Sequence, residues 1–116
     1  MRYSVHYQLL PSAARTATII TPNLHIPRGA RILALAAASS GSGTNPTMQI
    51  AIQAITIGGN AANLAFGTTQ TAAGVSIATL NFAPDLIRVA VFIGGTSPSF
   101  TFELDMILEL IGPDAP

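Results

Sequence analysis

Phe100-Thr101-Phe102-Glu103-Leu104-Asp105-Met106-Ile107-Leu108-Glu109-Leu110-Ile111 is the stretch on which the reading of this chain turns. Six apolar residues (Phe100, Phe102, Leu104, Met106, Leu108 and Leu110) alternate with Thr101, Glu103, Asp105, Ile107, Glu109 and Ile111. A helix advances 100° per residue and scatters such a set around its circumference. A strand places successive side chains on opposite sides and gathers the six on one face. The stretch is therefore a β-strand with one core face and one mixed face, and Gly112-Pro113 ends it.

Upstream, Gly94-Gly95-Thr96-Ser97-Pro98 reads as a turn that sends the chain back from Leu86 to Ile93, a near-continuous apolar run with Arg88 as its one charge. Val75 to Phe82 has β character and closes at Pro84-Asp85, and a short strand is expected at Leu64 to Thr69 after the break at Gly58-Gly59-Asn60. Met48 to Ile57 alternates, and Ser39 to Pro46 reads as a polar loop. Ala30 to Ala38 is rich in the helix formers Ala and Leu, yet strand neighbours and tight Gly/Ser brackets favour a strand. Pro22 to Gly29 is a loop, and Ala14 to Thr21 is a strand rich in β-branched residues. Tyr3 to Leu9 alternates and is either a first strand or an extended arm.

The fold class that follows is all-β, an antiparallel β-sandwich of jelly-roll or immunoglobulin-like type with about 7–8 strands. The expected division is residues 1–10 as N-terminal strand or docking arm, 11–112 as the sandwich domain and 113–116 as a C-terminal tail, with no internal repeat visible.

Composition narrows the function classes. Charged residues make up 9% of the 116-residue chain, against about 25% in an average soluble domain. A domain of this mass exposes roughly 5,900 Å², so uncharged side chains must cover most of it. Large weakly polar surfaces mark contact with protein partners. Net charge is zero and no basic run exists, which removes the electrostatic footprint of a nucleic-acid or anionic-membrane binder. All five cations are arginine (Arg2, Arg15, Arg28, Arg31 and Arg88), a pattern that fits protein interfaces and equally a coding bias. Cysteine is absent, so no disulfide, thiolate metal site or cysteine nucleophile exists. No apolar run approaches a membrane span, and the alternating N-terminus lacks a signal-peptide apolar region, so the reading is of a soluble, unprocessed chain.

No constellation carries chemistry. His6 and His25 are far from other plausible metal ligands in sequence, and no G-x-S-x-G elbow occurs. The two Gly-Gly turns neither open a helix nor carry a P-loop lysine. Glu103, Asp105 and Glu109 share a strand face, but Ile107 and Ile111 interrupt the acidic row, which fits a partly covered outer face better than a cation site. The expectation is a non-enzyme with no catalytic, cofactor-binding or metal-binding residues. Its candidate partner interface is Arg2, Tyr3, Tyr7, Arg15, Arg28, Arg31, Glu103, Asp105, Ile107 and Glu109.

Read together, Pro11 to Thr18, Gly29-Ala30-Arg31, Gly43 to Gln53 and Arg88 to Phe102 resemble a family of small β-sandwich virion proteins of tailed bacteriophages, the capsid cement or decoration proteins. The likeness spans residues 11–111 and leaves the first ten residues outside it. It implies a viral structural protein at the capsid surface, passing through the host cytoplasm during assembly. Its partners would be the major capsid protein and further copies of itself as a homo-oligomer, with no direct nucleic acid, membrane, cofactor or small-molecule substrate. A tail or baseplate component, and a ligand- or carbohydrate-binding β-sandwich module, are the alternative functions.

Overall fold

In the computed structural model the backbone is described for residues 2–56 and 60–111, and the side chains for residues 4–56 and 60–110. All regular structure in them is β: β1 (Arg2–Arg15), β2 (Ile19–Ile20), β3 (Leu24–His25), β4 (Arg31–Ile55), β5 (Ala61–Phe66), β6 (Gly74–Leu80) and β7 (Leu86–Ile111). All pairings are antiparallel.

Two very long strands organise the molecule. β4 has 25 residues and β7 has 26, and they pair along nearly their whole length, from Arg31↔Glu109 to Ala54↔Ile87. Extended at about 3.4 Å per residue, either strand would measure about 85 Å. The molecule measures 50 × 31 × 20 Å, so the ribbon bends back on itself. The 20 Å dimension suits two layers about 10 Å apart.

The bend is written into the backbone. Gly43 (φ 117°) and Asn45 (φ 49°) on β4 face Gly95 (φ 110°) and Ser97 (φ 48°) on β7, around the Thr44↔Thr96 pair. The register shifts on both sides of that pair, and the kinked residues take the left-handed region that ordinary side chains avoid. Beyond the bend, the first half of β4 and the second half of β7 form one layer, in the order β1-β7-β4-β6. The second half of β4 and the first half of β7 form the other, ordered β5-β4-β7 with β2 and β3 at its edge. Ile32, Ala34, Phe102 and Leu104 from the first layer and Ile50, Ile52, Val89 and Val91 from the second meet in a single core, all of them fully buried. The expected sandwich is thus present.

Several sequence boundaries are corrected. Ser39 to Pro46 is a continuation of β4, and Gly94 to Pro98 bends β7 from one layer into the other without ending the strand; each satisfies its backbone groups on the other across the ladder. The first strand extends beyond residue 10: β1 runs through Pro11 to Arg15, with register shifts between Gln8 and Ala13. Proline is tolerated there because β1 is an edge strand. The expected strand at Ala14 to Thr21 is divided: Ala14 and Arg15 are the last residues of β1 and Ile19–Ile20 form β2, and the loop at Pro22 to Gly29 contains β3. The Gly58-Gly59 break lies outside the described residues.

An internal repeat exists after all. β1, β2 with β3, and β4 are matched in chain order by β5, β6 and β7. β5 flanks the second half of β4 as β1 flanks the second half of β7, and β6 flanks the first half of β4 as β2 and β3 flank that of β7. A pseudo-two-fold axis through the Thr44↔Thr96 pair exchanges the two layers. Its sequence trace is Gly43-Thr44-Asn45-Pro46-Thr47-Met48-Gln49-Ile50 against Gly95-Thr96-Ser97-Pro98-Ser99-Phe100-Thr101-Phe102. The buried residues coincide, Met48 with Phe100, Ile50 with Phe102, and Ile52 with Leu104. Before the bend, an extra residue at the shift between Ala38 and Ser40 changes the offset by one, so the inward Ala34 and Ala36 correspond to Ile87 and Val89. That insertion, and the identity of only Gly, Thr and Pro around the bend, hide the repeat from a linear scan.

Candidate interaction surface

Because strand faces alternate, pairing determines which residues share a surface. On the outer face of the first layer, β7 presents Glu103, Asp105, Ile107 and Glu109, while β4 presents Arg31, Leu33, Leu35 and Ala37 directly opposite them. β6 adds Val75, Ile77 and Thr79 beyond β4, and β1 adds Ser4, His6 and Gln8 beyond β7. Five of the sequence-selected interface residues (Arg31, Glu103, Asp105, Ile107 and Glu109) therefore sit on one face.

The charges on this face are only partly spent. Arg31 Nη1 donates to Glu109 Oε1 at 2.8 Å and its Nε to Asn81 Oδ1 at 3.2 Å. This half-exposed pair contributes about 0–1 kcal/mol after screening. Glu103 accepts a bond of 3.3 Å from the Gln8 amide, and Asp105 lies 3.9 Å from His6 Nε2. Neither Glu103 nor Asp105 meets an arginine among the described residues. No group of three or more His, Asp or Glu side chains converges on a metal-sized site among them.

The remaining sequence-selected residues lie elsewhere. Tyr7 faces the layer interior from the β1 edge, is 44% exposed, and lines a groove of about 320 Å³ between β1 and β3 with Leu9, Leu24, Pro27 and Met106. Arg28 is exposed, 3.9 Å from Asp85, and borders a second groove of about 320 Å³ with Ala54, Leu64, Leu80 and Phe82. The pseudo-two-fold relates these grooves: Ala54 takes the place of Met106, and Leu64 that of Leu9. For Arg2 and Tyr3 only the backbone is described, paired with Ile111 and Leu110.

Arg15 is occupied within its own chain. Its Nη1 donates to Phe102 O at 2.7 Å and to Ala13 O at 3.3 Å, and its Nη2 to Pro11 O at 2.9 Å. The guanidinium also lies 4.7 Å from the centre of the Phe102 ring. It thereby ties the irregular end of β1, where proline and the register shifts weaken the ladder, to β7. Arg15→Ala is expected to destabilise the fold by about 1–2 kcal/mol. Arg15→Lys should recover less than half of this, because an ammonium cannot span three carbonyls and stack at once. Urea denaturation checks it; an Arg15→Ala midpoint equal to wild type would show that the side chain is a free surface residue.

Composition signalled a covered surface without locating it. The apolar residues that pairing brings together on this face, the half-buried Leu33 and Leu35 with the exposed Val75 and Ile77, come from segments about 40 residues apart, and none was selected from sequence. Val75 is 47% and Ile77 45% exposed. The outer face of the second layer was missed as well. A row runs across its strands from Ile20 through Ala90 and Ala51 to Phe66. Ile20 and Phe66 are exposed at its ends, and the two alanines are fully buried beneath taller neighbours. Beside it, Arg88 Nε donates to Gln53 Oε1 at 2.7 Å, and Gln53 Nε2 donates to Asn63 Oδ1 at 2.8 Å.

The fold and its open sheet faces define an all-β antiparallel sandwich whose distinctive surfaces are broad strand faces. No protein-family model and no curated protein matches the chain. Among solved structures, the SPBc2 prophage-derived protein YomS is similar in fold, with a TM-score of 0.61 over 95% of this chain and 96% of that one, at 11% identity. A chain in the structure of infectious bursal disease virus Gx strain is also similar, with a TM-score of 0.54 at 11% identity. The match covers 100% of this chain but 33% of the viral one, so this chain corresponds to about a third of its length. At such identities the likeness concerns the fold, and the neighbours include a prophage-derived and a viral protein.

Proposed function

We propose that the chain is a structural protein of a phage virion, a cement or decoration protein that binds the assembled capsid and stabilises it without catalysis. The observation that carries this reading is the grouping of exposed apolar side chains on open sheet faces in a chain with 9% charged residues. Its accessible surface is 6221 Å², about that of an ordinary globular domain of its mass. The unusual feature is therefore what the surface is made of, and such a surface is stabilised when protein covers it. The fold likeness to a prophage-derived protein over nearly the full length of both chains supports a phage setting.

The partners are the major capsid protein and copies of the chain itself, on the capsid surface of the virion after assembly in the host cytoplasm. Binding is by burial of strand faces and grooves, and many weak contacts repeated over a symmetric shell sum to tight attachment. Nucleic acid, membrane, cofactor and small-molecule substrate play no part in this mechanism.

Mass spectrometry of purified virions, with heads and tails separated, tests the reading. The chain is expected in the head fraction, and undecorated capsids should take it up saturably and gain resistance to heat. Recovery from tails alone would establish a tail or baseplate component instead, and absence from both fractions would overturn a virion role.

A further inference from the structure

The pseudo-two-fold places equivalent positions at the centre of each outer face, and the residues there have opposite character. In the first layer that position holds the Asp105↔Leu35 pair, and in the second the Gln53↔Arg88 pair. Asp105 corresponds to Gln53, and Leu35 to Arg88, by the offsets that superpose the two cores. On the first face Asp105 and the adjacent Glu103 lack an arginine partner among the described residues. On the second face Arg88 uses its Nε on Gln53 and has no carboxylate within 4 Å among the described residues, which leaves its two Nη groups to donate outward.

Both centres are bordered by apolar side chains. Leu33, Leu35, Val75, Ile77 and Ile107 adjoin the carboxylates, and on the arginine's face Ile20 and Phe66 end the row next to Arg88, with Phe92 one row further along β7. On the first face, four strands spaced about 4.8 Å apart and about eight residues long present roughly 500 Å² of flat area; the second is smaller, since β5 has six residues and β2 and β3 two each. The two faces together bury somewhat under about 1,000 Å² of flat area, which side-chain relief raises to the lower range of specific interfaces.

We infer that copies of this chain stack head to tail, the outer face of the first layer on one copy docking on the outer face of the second layer on the next, with Asp105 and Glu103 meeting Arg88. The occupant of each face is a second copy because the charges and apolar borders complement one another when the dyad-related centres are laid together. Pairing two first-layer faces centre to centre would instead oppose carboxylates, which costs free energy. The two faces lie on opposite sides of a sandwich 20 Å thick, so the contact is heterologous and produces rings or short stacks instead of a closed dimer. The strand edges and the two grooves stay open to the shell. The inference rests on the reading of the chain as a subunit-packing protein and specifies its self-contact.

Sedimentation velocity across a concentration series tests it. Wild type should form species larger than a dimer as concentration rises. Ile77→Glu spoils only the first face and Phe66→Glu only the second, so each alone should remain monomeric. An equimolar mixture of the two should give a 1:1 complex and nothing larger, since each supplies the intact face the other lacks. Asp105→Arg alone should weaken association at least tenfold, and the double variant Asp105→Arg/Arg88→Glu should recover part of the loss, because the 105–88 contact again joins opposite charges while Glu103 then faces a like charge. Circular dichroism and melting temperature confirm that these surface variants fold. Wild type that stays monomeric throughout, or Phe66→Glu that assembles like wild type, overturns head-to-tail stacking. A monomer that still decorates capsids refutes only the self-contact, whereas virions without the chain refute only the capsid role.

Discussion

Gly43→Ala and Gly95→Ala are each expected to lower stability by about 2–4 kcal/mol, and by similar amounts. Both glycines have φ between 110° and 117°, where an L side chain is strained. Both also lack room. A Cβ on Gly43 would lie 2.8 Å from Ser97 O, 2.9 Å from Pro98 Cα and 3.0 Å from Thr96 O. A Cβ on Gly95 would lie 2.6 Å from Asn45 O, 2.9 Å from Pro46 Cα and 3.0 Å from Thr44 O. These are backbone atoms of the opposite kink, so relief requires the ribbon to open where it folds from one layer into the other. Gly94→Ala is the control. It meets only the Thr47 hydroxyl, at 2.8 Å, which a rotamer change can move, and should cost less than about 1 kcal/mol.

Urea denaturation below the concentration of self-association measures all three. A loss under about 0.5 kcal/mol for Gly43→Ala or Gly95→Ala would mean that the bend tolerates an ordinary backbone. A large loss at one glycine beside none at the other would remove the equivalence of the two kinks.

Phe102→Ala is expected to cost about 3–5 kcal/mol, a large share of the 5–15 kcal/mol available to a domain of this size. The ring is fully buried and lies in the core shared by both layers. Its removal leaves a cavity that the paired strands on either side resist closing. It also takes away the face on which the Arg15 guanidinium rests. A double-mutant cycle of Phe102→Ala with Arg15→Ala should show a coupling of about 0.5–2 kcal/mol. A midpoint for Phe102→Ala within 1 kcal/mol of wild type would place the ring outside the core.

The periodic segments of this chain were legible because alternation is a local property. Phe100 to Ile111, Met48 to Ile55 and the apolar run from Leu86 appear as strands, and Phe100, Phe102, Leu104, Met106 and Leu108 of the last one are buried in the core as expected. Ala30 to Ala38, helical by propensity, is a strand from Arg31 onward because β6 and β7 pair with it on both sides. Structure departs from the sequence pattern where glycine and proline sit inside a strand instead of ending it. Gly-x-Asn-Pro at 43–46 and Gly-x-Ser-Pro at 95–98 have the composition of loops. They stay in the ladder because each kink finds its match on the opposite strand, and no window along one strand contains both.

The candidate interaction surface was legible only in part. The mixed face of the last strand pointed to Glu103, Asp105, Ile107 and Glu109, and pairing with β4 set Arg31 beside Glu109 at 2.8 Å. Arg15 looked like a surface cation, yet its three carbonyl acceptors arise from the irregular strand end that Pro11 helps to create. Val75 and Ile77 on β6 join that face through their register with Ala37 and Leu35.

For Phe100 to Ile111, then, sequence alone determined the strand, the core face and the mixed outer face, because side-chain alternation depends only on backbone geometry at each residue. It likewise determined the scarcity of charge. The tertiary structure decided that this strand is the second half of a longer one, that its partners are β1 and β4, and that its carboxylates border an apolar surface. Those facts depend on pairing between residues some 40 to 100 positions apart, and hydrogen bonds across a sheet carry no mark in either strand of which strand will supply them.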